Sequence, residues 1–324
     1  VYPPLNQLFF TLAEFASNGN PFFVVLFLKL IILCFEIGIL FLLFQFLKLL
    51  KLQESLAQIY AFNPLVVIEL VGNVHFEGVM LFFLILGLLL FHKQRWILGS
   101  VAIAFAVNIK LIPLILLPMF IPVLGFKKSV VSYVVILITT IIFVFPFLSS
   151  QVVANFSESL GLYFQSFEFN ASLYYLVKEI SYSFYGFKVY WVGIVLSILV
   201  LLIIGWLTVK LYLEKKSKLS NEFDMILFSK YASLAIITFY LFSSTVHPWY
   251  LINAVVFSVF FFNKTAIAWS MVIFISYFAY SQFIENTIIS GDFHNSWTYY
   301  FCVILEYGIV LFFLIFETQK KKIK

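Results

Sequence analysis

From Phe22 to Leu47 every side chain is apolar except Lys29, Glu36 and Gln45. As a helix that run would rise about 38 Å, more than the roughly 30 Å hydrocarbon core of a bilayer. Further apolar runs follow at Gly78–Phe91, Ser129–Leu148, Val189–Leu213, Met225–Val246, Leu251–Phe262, Ala266–Phe283 and Trp297–Phe316. Inside lipid each segment must satisfy its own backbone hydrogen bonds, which restricts such runs to helices. The composition agrees: 63% hydrophobic and 11% charged residues among 324, with a mean hydropathy of +1.07. A soluble domain of this size does not look like this. The fold class expected is all-α, a polytopic transmembrane helical bundle of ten to eleven spans, some short or broken, forming a single membrane domain over residues 1–324.

Composition also closes off other classes. The 43 Phe and 18 Tyr suit lipid-facing and interfacial positions. The net charge of +5 is scattered between apolar runs, so it is not a nucleic-acid signal. Cys34 and Cys302 lie within apolar runs and imply neither a metal site nor a disulfide framework. No Gly-rich phosphate loop and no internal repeat is present. Residue 1 is Val and no signal peptide is evident, so the chain is expected to begin inside a longer reading frame.

Proline marks where the spans break. Ser55–Val71 is interrupted at Asn63-Pro64. Between Arg95 and Lys110 a helix would rise about 22 Å, too short to cross. With Pro113, Pro118 and Pro122 beyond, the stretch Trp96–Leu124 reads as two short helices turning near Lys110. Ser149–Lys188 is polar and aromatic, and reads as an external loop with amphipathic helices on the membrane surface.

Alternating the spans from an external Tyr2 sorts the basic residues. Lys48, Lys51, Lys93, Arg95, Lys127, Lys128, Lys210, Lys215, Lys216, Lys218, Lys264 and the tail lysines fall on one side; Lys178 and Lys188 fall on the other. By the positive-inside rule the crowded side is cytoplasmic. Tyr2-Pro3-Pro4, Asn73, His75, Glu77, Glu168, His247 and Asp292 then share the external face.

The stretch AFNPLVVIELVGNVHFE, Ala61–Glu77, carries the densest polar chemistry. Ionisable groups where a span meets water suggest function. An extended backbone after Gly72 would put Asn73, His75 and Glu77 on one side. A helical one would stack Glu69, Asn73 and Glu77. The plain alternative leaves His75 and Glu77 in the headgroup region. Lys110, within an apolar hairpin, either snorkels to the interface or meets a phosphate there. His247-Pro248-Trp249-Tyr250 ends a span; Pro248 turns His247 out of helical geometry, while Trp249 and Tyr250 alone would be an aromatic belt. Lys29 and Glu36 read as a buried intramembrane pair. Glu168 and Asn170 sit in an aromatic loop suited to sugar hydroxyls, or simply to solvent.

Taken in order, Tyr2-Pro3-Pro4-Leu5, Asn63-Pro64 with Glu69 to Glu77, Lys110-Leu-Ile-Pro113 with Pro118, Phe167-Glu-Phe-Asn170-Ala-Ser172 and His247-Pro248-Trp249-Tyr250 form a familiar set. The chain resembles the polyprenol-phosphate-sugar-dependent integral-membrane glycosyltransferases of the C-type superfold, especially the bacterial mannosyltransferase-like members. The resemblance implies a bacterial inner-membrane enzyme with an external active site. It implies a polyprenyl-phosphate sugar donor, inversion at the anomeric carbon, and a saccharide or glycolipid acceptor. No cofactor is expected, and divalent-metal assistance is left open. The family's acidic base lies in a first external loop that would precede Val1. The catalytic residue is therefore unassigned, with Glu77 kept as a stand-in. Substrate contacts are expected from Tyr2, Glu69, Asn73, His75, Glu77, Lys110, Glu168, Asn170, His247, Trp249 and Tyr250. The competing reading is a transporter or flippase of a lipid-linked saccharide, which needs the same polar cavity but no chemistry.

Overall fold

Asparagine or aspartate side chains cap four of the described helices. The computed structural model describes residues 3–161, 167–186, 191–218, 223–280 and 297–320; Tyr2, Lys188 and Asp292 lie outside them. After α1 (Pro4–Ser17), the Asn20 side chain accepts from the Phe22 amide to start α2 (Pro21–Leu49), with Pro21 in its first turn. Asn63 accepts from the Leu65 amide in the same way. It separates Glu54–Ala61, which contains α3 (Gln58–Ala61), from Pro64–Gly72, which contains α4 (Pro64–Val66). These two pieces meet at a 54° bend, at the break expected from Asn63-Pro64.

Next come α5 (Glu77–His92) and α6 (Trp96–Ile109). A 3-10 stretch (Ile112–Met119) leads into α7 (Phe120–Leu124) and α8 (Phe126–Val144). The expected turn near Lys110 is present, because Lys110 is extended where α6 ends. The stretch read as a surface loop holds α9 (Ser150–Gly161) and α10 (Leu173–Tyr185). Then follow α11 (Trp191–Ser217), α12 (Met225–Phe242) capped by Asp224, α13 (Ile252–Ser258), α14 (Lys264–Val272) capped by Asn263, and α15 (Trp297–Lys320).

Among the described residues, five helices are long and apolar enough to cross a membrane: α2, Phe126–Phe147, α11, α12 and Thr298–Glu317 within α15. The bent pair makes a sixth if it is one span. The expected ten to eleven spans are not confirmed. Apolar composition does not measure helix length, and the other apolar helices have 10–17 residues. Such helices rise only about 15–26 Å, short of the hydrocarbon thickness. Large apolar side chains on the long helices, including Phe41, Ile142, Leu201, Ile304 and Phe312, point away from the protein and are mostly exposed. With these spans the chain is an integral membrane protein.

Two glycines fix the pairing that positions the site. On α5 and α6, a Cβ at Gly87 would lie 2.9 Å from the Gly99 carbonyl, and one at Gly99 would lie 2.9 Å from the Gly87 carbonyl. Only glycine at both places lets these backbones approach so closely. The hairpin therefore returns Lys110 to the level of Glu77.

The helices have two chemically different ends. At one end the His92 ring lies 3.3 Å from the Phe223 carbonyl, Lys128 donates to Gln94 (3.1 Å) and Lys215 donates to the Val123 carbonyl (2.9 Å). Lys218 pairs there with Asp224 at 3.0 Å. The opposite ends of α5, α6, α12 and α13 carry Glu77, Lys110, His247 and Tyr250.

Candidate active site

Lys110 is placed by the end of a helix. Its backbone is extended (φ −149°, ψ 147°), and Pro113 follows within the next 3-10 turn. Its ammonium pairs with Glu77 Oε1 and lies over the Tyr250 ring, 5.5 Å from the centroid, within cation–π range. Glu77 is fully buried, and its Oε2 has no hydrogen-bond partner.

Glu69 organises the other half. Val67–Gly72 forms a π-helical turn, a distortion that often accompanies functional sites, and Glu69 within it is fully buried. The Tyr277 hydroxyl donates to Glu69 Oε1 at 2.5 Å. Asn73 Nδ2 donates to Oε2 at 3.2 Å, and His75 Nε2 lies 3.4 Å from the same oxygen. The His75 amide folds back onto the Glu69 and Leu70 carbonyls (3.2 and 3.1 Å). That reversal forces Val74 to φ 60°, which a β-branched residue rarely adopts and which costs on the order of 1–3 kcal/mol. The stretch is thus neither extended nor helical. Asn73 and His75 both return to Glu69, while Glu77 turns to Lys110. A buried carboxylate needs donors, and Asn73 and Tyr277 supply them.

A stack of rings crosses the site. His75 lies on Trp249 with centroids 3.7 Å apart and planes 19° apart. Trp249 lies on His247 at 4.4 Å and 7°, His247 on Phe169 at 4.7 Å, and Phe169 on Tyr280 at 5.5 Å. Pro248 holds His247 extended (φ −78°, ψ 149°). Burial, then the Lys110 charge, then His247 push the His75 imidazole down to about 3. Burial and then Lys110 push His247 down to about 4. Both rings are neutral at pH 7, so His75 meets Glu69 as a neutral imidazole. His247 Nδ1 is buried without a hydrogen-bond partner.

Of the residues expected at the site, Glu69, Asn73, His75, Glu77, Lys110, His247, Trp249 and Tyr250 come together. Tyr2 lies outside the described residues. Glu168 and Asn170 sit at the edge, with their side chains engaged elsewhere. Glu168 accepts from Tyr174 (3.2 Å) and pairs with Lys178 (2.6 Å). Asn170 is fully buried, and its amide donates to Glu306 at 3.0 and 3.2 Å. Phe169, between them, stacks on His247, and Phe167 lies tilted against the same ring at 5.8 Å. Glu36 accepts from Tyr60 at 3.0 Å and backs Gly78, where a Cβ would collide with it. A Lys29–Glu36 ion pair is not found among the described residues.

Glu306, Phe169 and Tyr277 are among the contributors that escaped the sequence reading. Glu306 carried a usable signal, a lone carboxylate inside an apolar span. Phe169 and Tyr277 carried none in a chain so rich in Phe and Tyr. Two apolar clefts flank the Lys110 turn. One of about 310 Å³ is lined by Leu114, Ile115 and Pro118 against Val200, Ile204 and Phe242. The other, of about 460 Å³, is lined by Val107 and Leu111 against Val144, Phe147 and Val153.

Residues 1–125 match the family model of the alpha-(1->6)-mannopyranosyltransferase N-terminal domain, the MptA_B family. The chain is a glycosyltransferase of the mannosyltransferase kind. The match bears out the resemblance drawn from the sequence, and it holds Glu69, Asn73, His75, Glu77 and Lys110. No curated protein matches the chain. The ring stack draws on both parts of this mannosyltransferase, since His75 lies within the matched segment and Trp249, His247, Phe169 and Tyr280 lie beyond it.

Proposed function

We propose that this protein transfers a mannosyl residue from a polyprenyl-phosphate donor to a saccharide or lipid-linked acceptor, with inversion, at the external face of a bacterial inner membrane. The observation that carries this reading is Lys110, a cation at the break after α6, where Leu111 lines one apolar cleft and Leu114 the other. In the reaction the acceptor oxygen attacks the anomeric carbon as the bond from that carbon to the phosphate oxygen breaks. The bonding pair leaves with the phosphate, and Lys110 meets the charge that develops there. The acceptor proton passes to a carboxylate. Glu77 is the stand-in for that role because its Oε2 has no other claim on it. A cleft beside Lys110 takes the polyprenyl chain, and Trp249 and Tyr250 offer faces to the sugar. His75 and His247, both neutral, orient hydroxyls without adding charge. A monophosphate leaving group carries less charge than a diphosphate, so no resident metal is assigned. The external placement rests on the basic residues that crowd the opposite helix ends.

The test is transfer of radiolabel from polyprenyl-phosphate mannose in membranes containing the protein. Transfer that depends on Lys110 is expected. Undiminished transfer by Lys110→Ala would remove Lys110 from the mechanism.

A further inference from the structure

The wall formed by Phe169 is held from a distance. The backbone of Phe169 is fully committed: its amide donates to the Ser244 carbonyl (3.0 Å) and its carbonyl accepts from the Val246 amide (2.8 Å). This isolated parallel bridge to Thr245 straps the loop to the segment that leads into His247. The next residue, Asn170, has φ 48°, a left-handed conformation that asparagine tolerates better than most residues.

One face of α15 grips Asn170 at almost every polar atom. Its amide N–H donates to the Tyr299 hydroxyl at 2.9 Å, and its carbonyl accepts from the Tyr307 hydroxyl at 2.6 Å. Its side-chain amide donates to both oxygens of Glu306. The Trp269 indole also donates to Glu306, at 2.9 Å. Glu306 is fully buried in α15, and both neighbours that it binds are donors. Membrane helices seldom carry an interior carboxylate without a reason.

We infer that Glu306 is a positioning residue of the transfer site: by holding Asn170 in its left-handed turn it seats Phe169 on His247. The inference rests on the proposed reading that the His247 stack contacts substrate. It extends the machinery to the last helix, far outside the segment that matches the mannosyltransferase family. A misplacement on the order of 1 Å, remote from the chemistry, can cost about 10²-fold in rate.

The experiment uses the whole protein in membranes, with two readouts. One is transfer from polyprenyl-phosphate mannose. The other is the rate at which diethyl pyrocarbonate modifies His247, read by mass spectrometry, with His92 at the opposite helix ends as internal control. Phe169 shields His247 on one face, so Asn170→Asp, which sets carboxylate against carboxylate, should raise His247 reactivity about tenfold and lower transfer about 10²-fold. His92 should not change. Glu306→Gln keeps one acceptor oxygen but turns an amide group toward the Asn170 amide, so it should move both readouts in the same direction as Asn170→Asp, by less. Because Asn170→Asp alone could lose the fold, the deciding variant is Asn170→Asp with Glu306→Gln. There the new glutamine amide can donate to the new carboxylate, and both readouts should return toward parental values. No rescue by this pair, or unchanged His247 reactivity in Asn170→Asp, would overturn the inference. Raised His247 reactivity with undiminished transfer would leave the clamp standing and remove the stack from the proposed substrate site.

Discussion

Glu77 and Lys110 are ion-pair partners at the open end of the α5–α6 hairpin, separated by 33 residues of sequence. The pair is nearly closed to water, with side-chain exposures of 0% and 14%. Breaking a buried pair by removing one partner is far costlier than replacing both, because it strands a charge.

That asymmetry separates stability from function at Lys110. Lys110→Ala strands Glu77 and should lose about 3–5 kcal/mol of stability together with donor use. Lys110→Arg keeps the charge and should retain part of the transfer. Lys110→Ala combined with Glu77→Gln should recover most of the stability and none of the transfer. Thermal unfolding in detergent, alongside donor titration, checks this. Recovery of transfer in the double variant would return Lys110 to an interfacial, snorkelling role.

The two depressed imidazoles give stability a pH dependence. His75 and His247 titrate near 3 and 4 in the fold and near 6.5 when unfolded. Between those limits the unfolded chain binds more protons, so stability rises with pH. Their contribution is complete above about pH 6.5 and is lost as the pH falls toward 4. The groups facing them are Lys110, Glu69 and each other. Unfolding temperature should therefore drop between pH 6.5 and 4, and His75→Gln with His247→Gln should flatten the drop. A slope unchanged by the double substitution would show that the carboxylates alone cause it.

How much of this was legible in sequence depends on the range of each interaction. The all-helical membrane class follows from runs such as Phe22–Leu47, and the breaks at Asn63-Pro64 and Lys110 follow from proline chemistry within a few residues. The span count was not legible, because an apolar run such as Leu251–Phe262 looks the same whether or not its helix is long enough to cross. Polar residues at helix ends pointed to Glu69, His75, Lys110 and His247 individually. Helical spacing already put Asn73 beside Glu69; the other partners were hidden. Glu77 meets Lys110 only because Gly87 and Gly99 let two helices touch, and Asn170 looked like a sugar contact until Glu306, distant in sequence, claimed it.

Orientation is testable by labelling. The site and the basic helix ends should face opposite sides of the membrane. Ser157 on α9 belongs with the site end and Ser217 on α11 with the basic end. With Cys34 and Cys302 replaced, a cysteine at position 157 should react with an impermeant thiol reagent in intact cells, and one at 217 only after lysis. Equal labelling of both in intact cells would overturn the external placement of the site.

Glu69 supports a last prediction, because three groups converge on its two oxygens: Tyr277 at 2.5 Å, Asn73 at 3.2 Å and His75 at 3.4 Å. Glu69→Ala takes the shared carboxylate from Tyr277, Asn73 and His75; Asn73 is exposed and the other two are only partly buried, so each lost contact should cost toward the low end of about 1–3 kcal/mol. It also removes the side-chain contact that ties the His75 ring to Glu69, so His75 can leave the Trp249 face, while the backbone bonds that hold Val74 at φ 60° remain. Glu69→Gln keeps one acceptor, and the Tyr277 hydroxyl can rotate to receive the new amide. The alanine variant should therefore unfold at clearly lower temperature and transfer poorly, with the glutamine variant between it and the parent. Tyr277→Phe should cost about 1.5–3 kcal/mol, the usual range for a hydrogen bond to a charged group. Thermal unfolding in detergent and transfer in membranes measure both. If Glu69→Ala matched the parent in both assays, Glu69 would not be what folds residues 73–77 into the site.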